Sequence, residues 1–196
     1  MASEAVLATL EAGWNALDAV DVPKAVIGGL ALSAWNHARY TRDADVLVAI
    51  DQRQVDDLVR ALLAAGFHPR HDPPLRVIDG QGIVQFMFQP PGALLPFQFD
   101  VLLATSEHQR DAVARAVVRR LPGSHGGIRV VRPDDLIIIK LLAGRMIDLA
   151  DAAMLLRENR DDLDIERLAR EISSHGLQNE YRTIWGEAFP NDPSPL

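Results

Sequence analysis

The stretch that decides the fold is VIGGLALSAWNHARYTRDAD, residues 26–45. Its apolar run stops at the pair Gly28-Gly29, which predicts a tight junction between a buried strand and a short helix. Asp43 and Asp45 follow that helix two residues apart, at the start of a strand that continues through the apolar run VLVAI. Side chains two residues apart on a strand point to the same side of a sheet. We therefore expect the two carboxylates to face one point in space.

A third carboxylate, Asp100, interrupts the otherwise apolar strand PFQFDVLLA. Two carboxylates held together repel each other unless a cation lies between them, and oxygen ligands suit Mg²⁺. Taken alone, Asp100 is typical of a strand end on a solvent-facing side. Taken with Asp43 and Asp45, it completes a set of two acids on one strand and one on a neighbour. Such a set is required to hold two metal ions about 3.5–4 Å apart.

Composition limits the kinds of protein that can carry such a site. The chain has 196 residues, of which 48% are hydrophobic and 24% charged, as in a folded globular protein. It has no cysteine, which excludes disulfides, thiolate zinc sites and cysteine nucleophiles. No uncharged apolar stretch approaches the ~20 residues of a membrane span, and the first residues lack the basic flank of a signal peptide. We expect a cytoplasmic protein with no membrane partner.

Charge is unevenly distributed along the chain. The formal net charge of −7 argues against nonspecific binding to nucleic acid. Residues 109–145 nevertheless contain eight basic and three acidic residues. Such a stretch suits an anionic substrate, either a nucleotide or an RNA end. For Arg110–Arg120 alone, we favour a helix with a solvent-exposed basic face.

Periodicity predicts an α/β (α+β) protein in which helices flank a small mixed β-sheet and a helical region follows. Capping-box spacings at Asp51 with Gln54 and at Ser106 with Gln109 each predict a helix start, the second helix running to about Arg120. Further strands are predicted at 83–88, 97–103 and 128–131, and further helices at 4–20, 30–37, 134–144, 147–158, 164–174 and 178–187. We divide the chain into a core with the mixed sheet, residues 1–132, and a C-terminal helical region packed on it, residues 133–196.

Lys140 lies in a helix that is otherwise apolar from Leu136 to Ala143. Its side chain either reaches water along an apolar face or neutralises phosphate charge on a nucleotide or on pyrophosphate. Arg145, Asp148 and Asp151 follow at three-residue spacings, so neighbours share a helix face. A structural ladder of ion pairs is the alternative to a binding role.

These motifs resemble the nucleotidyltransferase superfamily, which has the DNA polymerase β-like fold. The pattern is a glycine pair, then R-x-T-x-D-x-D, then a lone aspartate on a later strand. Within the superfamily, AVIGGLALSAWNHARYTRDADVLVAI is similar to the AbiEii and MenT group of toxin-type nucleotidyltransferases. PDDLIIIKLLAGRMIDLADAAMLL also resembles this group, although Ile147 stands where a basic residue is expected. The resemblance covers about residues 25–155.

The resemblance implies roles for particular residues. Asp43 and Asp45 would bind two Mg²⁺ ions that bridge nucleotide phosphates, and Asp100 would complete the second metal site near the attacking hydroxyl. Nucleotide binding would involve Gly28, Gly29, Arg39, Thr41, Lys140, Asp148 and Asp151. Simpler alternatives are a tight turn for the glycine pair, a carboxylate partner for Arg39 and no role for Thr41.

The function implied is Mg²⁺-dependent transfer of a nucleoside monophosphate from an NTP to a hydroxyl, with release of pyrophosphate. An RNA or tRNA end is the favoured acceptor, and a protein antitoxin is an expected partner. Two alternatives stay open: a binding module that has lost catalysis, and an enzyme that modifies a small molecule such as an antibiotic. The six histidines show no metal-ligand spacing, and a P-loop motif is absent.

Overall fold

The computed structural model, which describes residues 3–78 and 80–196, places eight strands in one mixed sheet. The strands are β1 Lys24–Ile27, β2 Asp43–Val48, β3 His68–Pro69, β4 Leu75–Ile78, β5 Gln81–Phe88, β6 Phe97–Leu103, β7 Val117–Arg120 and β8 Gly127–Val130. Their spatial order is β3-β5-β6-β2-β1-β8-β7, and β4 also pairs with β5. The α/β fold with a mixed sheet is therefore confirmed.

Helices flank the sheet and follow it. They are α1 Glu4–Asp18, α2 Gly28–Ala34, α3 Val55–Ala64, α4 Glu107–Arg115, α5 Pro133–Ala143, α6 Met146–Glu158, α7 Ile165–Ser174 and α8 Gln178–Ala188, with short 3-10 turns at Gln52–Gln54 and Arg160–Asp162. None of these described helices is long and apolar enough to cross a membrane. The elements after residue 132 are helical, and the division of the chain into two units stays a prediction.

Strand register determines which side chains meet at the centre of the sheet. β2 runs antiparallel to β1 and parallel to β6, with Asp45 opposite Asp100. β5 runs antiparallel to β6 and places Gln85 opposite Asp100. Because side chains alternate between faces along a strand, Asp45 and Asp100 share one face of the sheet.

On the opposite face of the sheet, α1 packs against β2 and β6, and α3 packs beside α1. This face holds an aromatic core. The ring of Phe99, next to Asp100 in sequence, lies so close to Gly13 of α1 that a Cβ atom at Gly13 would overlap it. The Phe67 ring stacks on Phe88 with centroids 4.3 Å apart and contacts Phe99 at 5.3 Å. The fully buried rings of Phe67 and Phe99 anchor β6, so that the next residue, Asp100, projects to the other face.

Buried ion pairs tie the start of α5 to its neighbours. Asp134 and Asp135 occupy the first turn of α5, where the positive end of the helix dipole favours acids. Arg115 of α4 bonds Asp135 at 2.7 Å, and Arg167 of α7 bonds Asp134 at 2.6 Å and also pairs with Asp135. The interaction fixes α4 and α7 against the helix that carries Lys140.

The predicted helix from Ser106 to about Arg120 is too long. Its capping box is present, with Ser106 accepting from the Gln109 backbone at 3.1 Å, but the helix ends at Arg115. Residues 117–120 form β7, an antiparallel hairpin with β8. The β-branched pair at positions 117 and 118 suits a strand. The partner strand β8 lies outside the segment whose pattern predicted a helix, so that pattern could not reveal the pairing. The expected basic helix face to Arg120 is therefore wrong, and strands β3 and β4 were missed.

Candidate active site

The three aspartates line one cleft with a volume of about 690 Å³. Asp43 and Asp45 are the first and third residues of β2, and the parallel register with β6 sets Asp100 beside Asp45. Their strands are central in the sheet, so their backbone positions are fixed on both sides. The structure therefore brings together the three carboxylates that the sequence singled out; we call them the acid cluster.

The acid cluster carries uncompensated negative charge. Burial raises the pKa of Asp45 well above that of an ordinary carboxyl group, and the charges of Asp43 and Asp100 raise it further. Lys140 and Arg39 oppose this rise from a distance. None of the ion pairs within the described residues includes a member of the acid cluster. A set of carboxylates that lacks a protein cation fits a divalent metal ion.

Asp100 is held by two glutamine amides. Gln98 Nε2 donates to both carboxylate oxygens, at 3.0 and 2.9 Å, and Gln85 Nε2 donates at 3.1 Å. Arg70 donates in turn to Gln98 Oε1 at 2.6 Å, which fixes the orientation of that amide. Burial is the largest influence on the pKa of Asp100 and raises it, the charge of Asp43 adds to the rise, and the hydrogen bonds from Gln98 and Gln85 oppose the rise without cancelling it. The amides thus orient the carboxylate without neutralising it.

The acid cluster does not form a single compact ligand set. In the described residues, the group that places three ligand atoms all within 4.8 Å of one another is His108, Glu171 and His175. The oxygens of Asp43, Asp45 and Asp100 are therefore spread more widely than this. Joint ligation of one ion by all three carboxylates would therefore require a carboxylate to move.

The glycine pair is required by its close approach to the acid cluster. Gly28 has φ +63°, and a Cβ atom there would overlap the Asp45 carboxylate. A Cβ atom on Gly29 would lie 2.7 Å from Thr41 Oγ1. Thr41 Oγ1 itself donates to Asp43 Oδ1 at 2.6 Å. The pair thus leaves room for Asp45 and Thr41, while its contact with a triphosphate stays a prediction.

Lys140 is the centre of an ion-pair network on the other side of the cleft. Its buried ammonium donates to Asp148 Oδ1 at 2.7 Å and to Asp151 Oδ2 at 2.9 Å. Arg145 Nε donates to Asp148 at 2.5 Å, and Arg39 Nε donates to Asp151 at 3.2 Å. His37 also contacts Asp151, at 3.1 Å. These residues (Lys140, Asp148, Asp151, Arg145, Arg39 and His37) form what we call the ion-pair network.

Cations of the ion-pair network face the cleft, and its acids lie behind them. Lys140, Arg145 and Arg39 line the cleft, whereas Asp148 and Asp151 do not. Burial raises the pKa of Asp148, but the hydrogen bonds from Arg145 and Lys140, together with the charges of these two residues, lower it by more, so the net shift is downward. Asp148 is thus held as a carboxylate, and both acids orient cations toward the cleft through their hydrogen bonds.

Sequence reasoning missed several residues of this site. Gln85, Gln98, Tyr40 and Arg42 all line the cleft, and none was predicted. A signal for Gln98 was available, because it lies two residues before Asp100 and so on the same strand face. Gln85 depends on the pairing register of β5 with β6, which no local pattern reveals.

Fold and site together define the class of protein. A mixed sheet presents two acids from one strand and one from its parallel neighbour to a cleft lined by basic residues, as expected for a nucleotidyltransferase. The family described as "Nucleotidyl transferase AbiEii toxin, Type IV TA system" matches residues 16–193. The chain belongs to this family and is a nucleotidyltransferase. A search of the curated proteins finds no match to it.

Solved structures share the fold. JHP933 from Helicobacter pylori is 16% identical, with 98% of this chain and 83% of that chain covered and a TM-score of 0.51. The antibiotic-resistance factor ANT(2'')-Ia in solution is 14% identical, with coverages of 88% and 92% and a TM-score of 0.55. Its crystal structure in complex with adenylyl-2''-tobramycin is also 14% identical, with coverages of 89% and 98% and a TM-score of 0.55. At these identities the similarity establishes the fold alone.

Proposed function

We propose that the protein transfers a nucleoside monophosphate from an NTP to a hydroxyl group in a Mg²⁺-dependent reaction. The observation that carries this proposal is the acid cluster, in which three carboxylates line one cleft, the charges of Asp43 and Asp100 act on Asp45, and none of the three forms an ion pair with a described residue. In the reaction, the acceptor oxygen bonds to the α-phosphorus and the bond from that phosphorus to the bridging oxygen of pyrophosphate breaks. The hydroxyl proton passes to a carboxylate of the acid cluster.

Asp43, Asp45 and Asp100 are the residues that would hold the metal ions. Bound Mg²⁺ would neutralise phosphate charge and lower the pKa of the acceptor hydroxyl. Gln98 and Gln85 orient Asp100 through their amide donors, and Thr41 orients Asp43. Outer contacts of this kind set ligand geometry and metal affinity.

The ion-pair network would bind the phosphates. Lys140, Arg39 and Arg145 each present a cation to the cleft, and such cations stabilise anionic oxygens. Asp148 and Asp151 would act by positioning these cations, because they lie behind the cleft wall and a carboxylate facing a phosphate would repel it. This assigns the two aspartates a positioning role rather than direct nucleotide contact.

The favoured acceptor is an RNA end. What supports it is Arg42, which lines the cleft in addition to the cations proposed to bind the nucleotide and suits a second phosphate-bearing substrate. The basic stretch 109–145 contributes Lys140 and Arg145 to this cleft, while Arg115 and Arg132 are paired with Asp135 and Asp134 elsewhere. A small hydroxyl compound is the second candidate, since ANT(2'')-Ia, of the same fold, was solved in complex with adenylyl-2''-tobramycin.

A toxin role fits the family description, and we propose a cytoplasmic toxin neutralised by a protein antitoxin. The neighbouring gene would then encode a small protein that binds this chain. Co-expression should relieve growth inhibition caused by the chain alone, and a growth defect that persists in the Asp45→Asn variant would argue against toxicity by nucleotidyl transfer.

The decisive experiment is a labelling assay. Purified protein is incubated with each α-³²P-labelled NTP and Mg²⁺, in one arm with total RNA and in another with a panel of aminoglycosides. We expect label in one arm, and a loss of about 10³-fold or more in Asp43→Asn and Asp45→Asn, because several kcal/mol of charge stabilisation are removed. Asp51→Asn is the matched control, since Asp51 is an exposed aspartate just beyond β2. Equal labelling by wild type and Asp45→Asn would overturn the proposal.

A further inference from the structure

A second cluster of metal-ligating side chains lies outside the cleft, at the junction of α4 and α7. His108 is in the first turn of α4, Glu171 is in α7, and His175 caps the C-terminus of α7. His108 Nδ1 lies 3.6 Å from Glu171 Oε2, and His175 Nε2 lies 3.9 Å from the same oxygen. One ligand atom from each residue lies within 4.8 Å of the other two. None of the three residues lines the nucleotidyl-transfer cleft.

His108 is the unusual member of this cluster. Its side chain is 3% exposed, and within the described residues neither ring nitrogen has a hydrogen-bond partner. Buried polar groups are normally paired because an unpaired one costs free energy. The 3.6 Å separation from Glu171 is too long for a hydrogen bond.

Glu171 and His175 provide two potential metal ligands on one helix. Four residues apart, they lie on the same face of α7, and both side chains are partly exposed. An ion and a water molecule can therefore reach them from solvent. Zinc bonds of 2.0–2.1 Å in tetrahedral geometry place ligand atoms roughly 3.3 Å apart. The separations of 3.6 and 3.9 Å would need to shorten by a few tenths of an ångström to about 0.6 Å, and the two histidine nitrogens, which lie within 4.8 Å of each other, would also need to approach this spacing.

We propose that His108, Glu171 and His175 form a binding site for a divalent transition-metal ion of the zinc type. Two imidazole nitrogens and one carboxylate oxygen are a common protein ligand set for zinc, with water in the fourth position. Coordination through Nδ1 gives a partner to one of the two unpaired nitrogens of His108. His108 is far in sequence from Glu171 and His175, which explains why the spacing of the histidines along the chain did not reveal the site.

The site would link an element that follows the Asp100 strand to an element that packs against the Lys140 helix. α4 follows β6, which carries Asp100, and α7 packs against α5, which carries Lys140. A bound ion would therefore stabilise the position of α4 relative to α7. It takes no part in the chemistry, because none of its ligands reaches the cleft.

The test is a Co²⁺ titration of the full chain, with any affinity tag removed and the protein first treated with chelator. Excess Mg²⁺ is present throughout to occupy the acid cluster. We expect one equivalent of Co²⁺ to give the visible absorption bands of a tetrahedral site, and Zn²⁺ to displace it. The same titration is repeated on an Asp43→Asn/Asp45→Asn double variant, which should bind Co²⁺ as wild type does.

Variants of the partly exposed ligands make the test specific. Glu171→Gln and His175→Ala should each weaken Co²⁺ binding by roughly 10–100-fold or more, a range already seen on loss of outer-shell partners. His125→Ala is the matched control, since His125 is exposed in the turn between β7 and β8, and it should bind as wild type. The proposal is overturned if both ligand variants bind like wild type, or if the acid-cluster double variant alone abolishes binding.

Discussion

The two sides of the cleft differ in whether their aspartates have cationic partners. In the acid cluster, three carboxylates lie together and none forms an ion pair with a described residue. In the ion-pair network, Asp148 and Asp151 are buried, yet each contacts at least two basic side chains. Both sides contain buried carboxylates, so burial alone does not distinguish a candidate metal-ligand set from a structural ion-pair network. The presence of cationic partners distinguishes the two.

This difference predicts a difference in stability. A paired buried carboxylate stabilises the fold only while its partners remain, whereas a carboxylate crowded by like charges destabilises it. Functional sites commonly retain such destabilising groups. Substitutions in the two regions should therefore change the free energy of unfolding with opposite signs.

The largest effect is expected from Lys140→Met. The change keeps the apolar stem but leaves two buried carboxylates without their shared cation, so the free energy of unfolding should fall by about 3 kcal/mol. Urea denaturation measures it. Neutralising the acids as well, in Lys140→Met/Asp148→Asn/Asp151→Asn, should recover part of the stability without recovering nucleotidyl transfer.

Lys24→Met is the matched control, because Lys24 is equally buried. Its ion-pair partner is Asp18, which is 56% exposed and remains in water when the lysine is lost. The free energy of unfolding should fall by only about 1 kcal/mol. Equal decreases in the free energy of unfolding in the two lysine variants would show that the ion-pair network stabilises the fold no more than the pair of Lys24 with an exposed aspartate does.

Local sequence patterns were sufficient to identify the residues of the acid cluster. The spacing of Asp43 and Asp45 on one strand, and the lone acid Asp100 in an apolar strand, are signals contained in a few residues. The pairing of Lys140 with Asp148 was less accessible, because it crosses the turn at Gly144 between two helices. Here the sequence offered only the family resemblance and the three-residue spacing of the acids.

Long-range pairing accounts for what the sequence did not reveal. Gln85 reaches Asp100 only through the register of β5 and β6. Arg119, expected on a helix, lies in β7 with its guanidinium 3.9 Å from the Trp35 ring centroid, because pairing with β8 overrides local helix propensity. His108 meets α7 through packing that no periodicity predicts.

A pair of Asp→Asn substitutions tests the opposite signs directly. Asp45→Asn should raise the free energy of unfolding of the metal-free protein at neutral pH, by on the order of 1 kcal/mol, as removal of an unfavourable site group commonly does. Asp148→Asn should lower it by about 2 kcal/mol, because charge-assisted hydrogen bonds are lost. The exposed control, Asp51→Asn, should change it by less than about 0.5 kcal/mol. A decrease in both buried variants would contradict the comparison.

The effect of Asp148→Asn should also depend on pH. The pKa of Asp148 is lowered in the folded protein, so near pH 4 the unfolded state binds more protons and stability rises with pH. Its contribution is complete above the pKa of an unfolded aspartate, about 3.9, and is lost as the pH falls through the lower folded value. The stability difference between wild type and Asp148→Asn should therefore narrow below about pH 4 in urea denaturation measured across pH.

The smallest expected effect concerns the amides that hold Asp100. Gln98→Leu removes two hydrogen bonds to this carboxylate while leaving all three acids in place. Under the proposed Mg²⁺-dependent function, the Mg²⁺ concentration for half-maximal labelling should rise roughly tenfold, the lower end of the range for lost outer-shell partners. Gln89→Leu is the control, because Gln89 is exposed and its side chain, within the described part of the chain, bonds only the Ala93 carbonyl, at 2.8 Å. If Gln98→Leu instead lowered the maximal rate at every Mg²⁺ concentration and left the midpoint unchanged, Gln98 would act on the acceptor or nucleotide, and Asp100 would not need its amides to hold a metal ion.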